Sequence, residues 1–171
     1  MATSVVSRPA TQTKPRRFRL GGTDHKVALT AHVLSAVGWF GVAALVAFCA
    51  VVAGTSNDAT LSRALYRTVE TSVWLSIPLG IVAFATGVVL SVGTKWGLVR
   101  HWWVVAKIVI ASVVVVTDAL VVRGAAHDAV AHGTAAGSLY GPTIAHCVVL
   151  TIATALSVFK PRGRTPLGRA R

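Results

Sequence analysis

The chain has 171 residues, of which 54% are hydrophobic and only 13% charged, with a mean hydropathy of +0.67. A soluble domain carries about 25% charged residues, so too few polar side chains are present to coat a water-facing surface. The charge is strongly basic, with 17 Lys and Arg against 5 Asp and Glu and a net +12. The basic residues flank apolar runs rather than lining an aromatic-studded groove, which is how a membrane protein sets its orientation and which argues against a nucleic-acid partner.

Residues 1–25 are rich in Pro, Thr, Arg and Gly with no helical apolar period, and read as a disordered basic cytoplasmic tail. The first apolar run, 27–54, exceeds the roughly 7–15 residues of a signal-peptide core, so it is expected to remain as a membrane anchor. Asp58–Glu70 places Leu61, Leu65 and Val69 four residues apart, the pattern of an amphipathic turn or two extending the second helix outward. Apolar runs follow over 72–93, 102–122 and 139–159, each near the roughly 20 residues that cross a hydrocarbon core of about 30 Å. Val, Ile and Thr favour strands, but transmembrane strands alternate polar with apolar residues. These runs do not alternate, so helices are predicted. Pro78 and Pro142 are tolerable in lipid where neighbouring groups satisfy the freed carbonyls. Cys49 and Cys147 fall inside apolar runs and are expected as free buried thiols. Residues 160–171 form a second basic cytoplasmic tail. The expected fold is all-α, a four-helix transmembrane bundle over 26–159 with both termini inside.

Orientation follows from the basic residues. Thirteen fall in the two tails and the 93–101 loop, three in the 55–71 and 123–138 loops, and one, Lys107, inside a helix. The positive-inside rule then places both termini in the cytoplasm of a bacterial cell, with a multi-pass chain in its plasma membrane. Trp96, Trp102 and Trp103 cluster at the inner interface, where indoles prefer to lie.

Ionisable groups within a membrane span are costly and mark functional sites by default. His32 and Lys107 each lie five residues into their helices from the inner end, about 8 Å deep at about 1.5 Å per residue. Asp118 and His146 share the outer half, so the four form an inner pair and an outer pair. Lys107 and Asp118 are eleven residues apart with Ala111 and Val114 on the same stripe. His32, Ser35 and Trp39 share a face of the first helix. Thr143, Cys147, Thr151 and Thr154 make a mildly polar face on the last helix, with His146 beside it, and polar stripes turn toward the bundle centre. Asp118 has two candidate partners, His146 by depth and Arg123 from outside. Lys107 either snorkels to the headgroups or faces the interior, and His32 is either a packing residue or a ligand. His101 lies with Trp102 and Trp103 at the inner boundary. His127, Asp128 and His132 contain metal-binding residue types, but their spacing matches no strong motif, and no metal site is expected. Nucleophile, P-loop, dinucleotide and HExxH motifs are absent, which leans away from an enzyme.

Two stretches, HVLSAVGWFG over 32–41 and GTKWGLVRHWWVVAK over 93–107, resemble a family of small integral-membrane proteins of high-GC bacteria, a domain of unknown function. A His early in the first helix followed by Trp-Phe seven residues later is also similar, more distantly, to the HemJ-type protoporphyrinogen oxidases and the CopD-like copper-resistance membrane domain. That resemblance implies key roles for His32 and Lys107. The chain departs from the HemJ pattern in VAALVAFCAVVAG after the Trp-Phe pair, and in Thr117 and Asp118 where a late helix-3 His stands. The oxidase activity is therefore not carried over.

Three functions are compatible with these residues. The first is an integral membrane protein binding haem b or another small ligand within the bundle, with His32 as axial ligand and Lys107 or His101 in the second position. The second is a proton, ion or solute transport subunit using Lys107, Asp118 and His146, which with so few helices requires a homo-oligomer or a membrane partner. The third is a non-catalytic scaffold whose basic tails bind anionic lipid headgroups.

Overall fold

The computed structural model describes residues 20–94, 97–133, 137–161 and 163–166. The basic tail expected over 1–25 lies mostly outside the described residues, as do Trp96 and much of the tail over 160–171. The described chain is all-α. Helix α1 spans Gly22–Thr55 and α2 spans Ala59–Gly93. Helix α3 runs continuously over Trp102–His132, with a π-helical turn at Asp118–Val122. Helix α4 spans Gly137–Phe159. All four are long and apolar enough to cross a membrane, where a helix satisfies its own backbone groups and an open strand cannot.

Local chemistry sets the ends. Asp58 caps α2, its Oδ1 accepting from the backbone N–H of Thr60 at 2.8 Å and of Leu61 at 3.2 Å. Ser62 Oγ donates to the Ala53 carbonyl at 2.8 Å, which takes up one of the last carbonyls of α1 and closes the hairpin. Gly133, at φ +71°, ends α3 in the left-handed conformation that glycine adopts without strain.

Three boundaries differ from the sequence reading. Helix α1 begins at Gly22, so the last residues of the tail expected to be disordered over 1–25 form its first turn. The predicted loop over 123–138 is helical through His132, because its alanines are strong helix formers and Ala126 and Ala129 are buried against α2. The stretch after Asp58 does belong to α2, but its buried stripe is Ser62, Tyr66 and Val69, while Leu61 is exposed. Tyr66 is drawn inward because its hydroxyl meets that of Tyr140 at 3.4 Å.

The helices form a ring. α1 packs along α2, α2 against α3, α3 against α4, and α4 back against α1. Four passes return the chain to the end from which it started. The terminal end therefore holds Gly22, Gly93, Trp102 and Phe159, and the hairpin end holds the other connections. The interface is built from small residues, among them Ala43, Ala50, Ala53, Gly80, Ala83, Ala126 and Ala129. Large apolar side chains such as Leu34, Phe48, Trp74, Leu120 and Val158 point outward. This distribution suits lipid, in which close backbone approach drives association and an exposed Leu costs nothing.

Two apolar clusters divide the interior. One, toward the hairpin end, gathers Val46, Ala50, Tyr66, Val69, Val73, Val122, Ala126 and Leu139. The other, toward the terminal end, gathers Trp39, Ala43, Ala83, Val114 and Leu150. Gly80 is where the Trp39 ring crosses α2. A Cβ there would fall 2.9 Å from two ring carbons of Trp39 and 2.9 Å from a methyl of Val115. Gly80→Ala is therefore expected to lower stability in detergent by about 1–3 kcal/mol. Gly124→Ala, which meets nothing within 4 Å, is expected to be neutral or stabilising by up to about 1 kcal/mol. Thermal unfolding followed by tryptophan fluorescence separates the two.

Candidate functional site

Between the two apolar clusters lies a polar layer to which each helix contributes one side chain. The α2 stripe Val69, Val73, Ser76, Gly80 and Ala83 advances in helical steps and carries Ser76 inward. The α4 stripe Leu139, Thr143, His146 and Leu150 does the same for His146. Trp39 lies on the buried stripe of α1 with Ser35 and Ala43.

Asp118 needs an irregular helix. The twelve residue steps from Val114 to Ala126, at about 100° each, would leave these two about 120° apart on a straight α-helix. The π-helical turn absorbs most of that offset, with the Arg123 N–H bonded back to the Asp118 carbonyl five residues earlier. Val114, Asp118, Val122 and Ala126 consequently all face inward. Such single π turns concentrate at functional positions.

The layer is continuously hydrogen-bonded. Trp39 Nε1 donates to Ser76 Oγ at 3.0 Å, and Ser76 Oγ donates to Asp118 Oδ2 at 2.5 Å. His146 Nδ1 lies 2.8 Å from Asp118 Oδ1, with both side chains more than nine-tenths buried, at 8% and 6% exposure. Asp118 and His146, read from the sequence as sharing a depth, are thus in direct contact. Arg123, the other candidate partner, instead holds its guanidinium 4.8 Å above the ring of Trp74. The expected polar face of the last helix is displaced. Thr143 and His146 are buried, whereas Thr151 is exposed and donates to the Cys147 carbonyl of its own helix at 2.7 Å.

Trp39 also forms the wall of a second feature. Toward the terminal end, a half-open cavity of about 120 Å³ is lined by Trp39, His32, Phe40, Phe84, Lys107 and Leu150 among others. His32 Nδ1 lies 2.9 Å from the Ala83 carbonyl and 3.1 Å from Thr86 Oγ1. The Thr86 hydroxyl spends its own proton on the Val82 carbonyl at 2.6 Å. His32 therefore carries a proton on Nδ1, which leaves Nε2 as the acceptor of the neutral ring. Gly87 makes room for this ring, since a Cβ there would lie 3.1 Å from His32 Cε1. Lys107 lines the same cavity with Nζ 5.5 Å above the centroid of Trp103, a cation–π arrangement on the inward side of α3.

The structure brings His32 and Lys107 to one cavity and leaves His101 outside its lining. His101 caps α3, pairs through its backbone with Arg164, and tilts its ring 6.2 Å from that of Trp103. The residues do not fit haem. The cavity's volume of about 120 Å³ compares with the roughly 150 Å³ hole that takes benzene. The lining holds no second His, Met or Cys beside His32, and Lys107, the other ligand read from the sequence, sets its ammonium over the Trp103 ring. At the hairpin end, His127 Nδ1 pairs with Glu70 Oε1 at 3.0 Å on the surface, and His132 Nδ1 bonds back to the Asp128 carbonyl at 2.9 Å. No group of three metal-ligating side chains occurs among the described residues.

Ser76, Thr86 and the π-helical turn were not singled out from the sequence. The usable signal for Ser76 was its place on a stripe of small residues at helical spacing. The turn left no signal of its own. Comparison with protein-family models, curated proteins and solved structures gives no match to this chain.

Replacing Ser76 with Ala strands Trp39 Nε1 and Asp118 Oδ2 in the interior. The expected loss is about 1–3 kcal/mol. Thr151→Ala, which removes a hydroxyl serving only its own helix, is expected to change stability by less than about 0.5 kcal/mol. Equal effects in a denaturation series would show that the layer does not hold the helices together.

Proposed function

We propose that this membrane protein binds a small, ring-sized weak acid in the cavity between its helices, with His32 and Lys107 as its polar contacts. The observation that carries this reading is the convergence of His32 Nε2, a fixed acceptor, and the Lys107 ammonium, a donor, on one cavity of benzene scale. The O–H of a carboxylic acid would donate to His32 and its carbonyl oxygen would accept from Lys107, while Trp39, Phe40 and Phe84 pack against the ring. Buried Trp39 stands between this cavity and Asp118, which favours ligand binding over a continuous ion path from Lys107 to Asp118 and His146.

In lipid nanodiscs, 4-fluorobenzoate is expected to bind saturably by fluorine NMR, with affinity falling at least tenfold in His32→Ala and in Lys107→Met. Protein supplied with haem is expected to show no Soret band that depends on His32. A reducible Soret band lost in His32→Ala would overturn this reading in favour of haem.

The same reading places both termini on the cytoplasmic face of a bacterial plasma membrane, with the basic tails against anionic headgroups. Its support is the distribution of basic residues, including Arg100, Lys160 and Arg164 at the terminal end. In a chain with Cys49 and Cys147 replaced by Ala, a membrane-impermeant maleimide applied to intact cells should label Asn57→Cys and spare Gly163→Cys. The reverse pattern would invert the topology.

A further inference from the structure

His146 Nε2 is buried and has no hydrogen-bond partner. Its significance comes from following the protons along the polar layer. The Trp39 indole is a donor only, so Ser76 Oγ accepts from it, and the Ser76 proton goes to Asp118 Oδ2. The 2.8 Å between Asp118 Oδ1 and His146 Nδ1 requires one proton shared between these two atoms. With Nε2 bare, the pair carries one net negative charge between two apolar clusters, an expensive state within a bilayer. A proton added at Nε2 makes the pair neutral overall. It then exists as imidazolium with carboxylate or as imidazole with carboxylic acid, the two differing only in where the shared proton lies.

The layer also has a dead end. A proton reaching Asp118 Oδ2 could pass to Ser76 but no farther, because the Trp39 indole nitrogen has no lone pair with which to accept it. Whatever enters at His146 Nε2 must leave by the same atom. We propose that Asp118 and His146 form a membrane-buried proton-binding site with a capacity of one proton, loaded and unloaded through His146 Nε2, that holds a proton rather than conducting it across the bilayer.

The surroundings make the site self-contained. On either side of the pair, the buried stripes carry Trp39 and Ala43 from α1, Val73, Ser76 and Gly80 from α2, and Val114 and Val122 from α3. On α4 they carry Thr143 and Leu150, and the half-buried Cys147 is uncharged. None of these adds a charge. Lys107 and His32 lie beyond Trp39 at the cavity, and Tyr66 and Tyr140 lie toward the hairpin end.

The test is nitrogen NMR on protein labelled with ¹⁵N-histidine in lipid nanodiscs, with the His146 signals assigned by their loss in His146→Gln. Across pH 5 to 9, Nδ1 should stay protonated or hydrogen-bonded while Nε2 passes once from protonated to bare. In Asp118→Asn that step should move by at least one pH unit. In Trp39→Phe, which keeps the pair intact, it should persist. Liposomes containing the protein and a trapped pH dye should show no proton flux above empty vesicles under an imposed gradient. An Nε2 signal that never changes over this range would overturn the binding site, and a flux abolished by His146→Gln would overturn its holding character.

Discussion

A carboxylate enclosed in hydrocarbon has to be paired or neutralised, and the arrangement of all four helices meets that requirement for Asp118. The acid receives Ser76 from α2 on one oxygen and His146 from α4 on the other, and Trp39 from α1 completes Ser76. Each member satisfies the next, so the bonds support one another more strongly than isolated pairs would in a medium of low dielectric constant. Much of the rest of the interface is Ala, Gly and Val, with a few larger side chains such as Tyr66, Leu139 and Leu150. Such surfaces pack closely but tolerate rotation and sliding, because lipid is as apolar as the side chains themselves. The polar layer removes that freedom by giving each helix one residue that must face the centre.

The register between α1 and α2 follows the same logic in steric form. His32 and Trp39 are seven residues apart on α1, and the positions that receive their rings, Gly87 and Gly80, are seven apart on α2. Two turns of one helix thus fit two turns of its antiparallel neighbour. The same match holds the His32 ring at the cavity wall and brings the Trp39 indole to Ser76. Trp39 is therefore the joint between the cavity and the acid, with one face lining the cavity and its N–H ending the hydrogen-bonded chain.

The turns at the terminal end are tied from both directions. Leu20 donates its N–H to the Gly93 carbonyl at 3.3 Å, and Thr165 donates its N–H to the Arg100 carbonyl at 3.1 Å. These bonds hold the described residues between α2 and α3 beside Leu20 and Thr165. His101, read from the sequence as a second ligand beside His32, is held in that closure by its backbone pairing with Arg164. The sequence reading offered it beside Lys107 as that ligand and placed it at the inner boundary, but a boundary position says nothing about rotation around the bundle.

What the sequence by itself determined was a count, a set of lengths and a set of depths. Composition and four apolar runs required membrane helices, and distance along each run placed Asp118 level with His146 and His32 level with Lys107. Those quantities are one-dimensional, so a chain read in one dimension contains them. Only the tertiary structure decided azimuth. It chose His146 over Arg123 for Asp118, turned Lys107 inward over Trp103, recruited Ser76, and inserted the π-helical turn that keeps Asp118 and Ala126 on one face. Azimuth depends on which small residues let two helices approach and which polar atoms must be satisfied at the contact. Both are properties of pairs of helices, and neither exists until the helices have met.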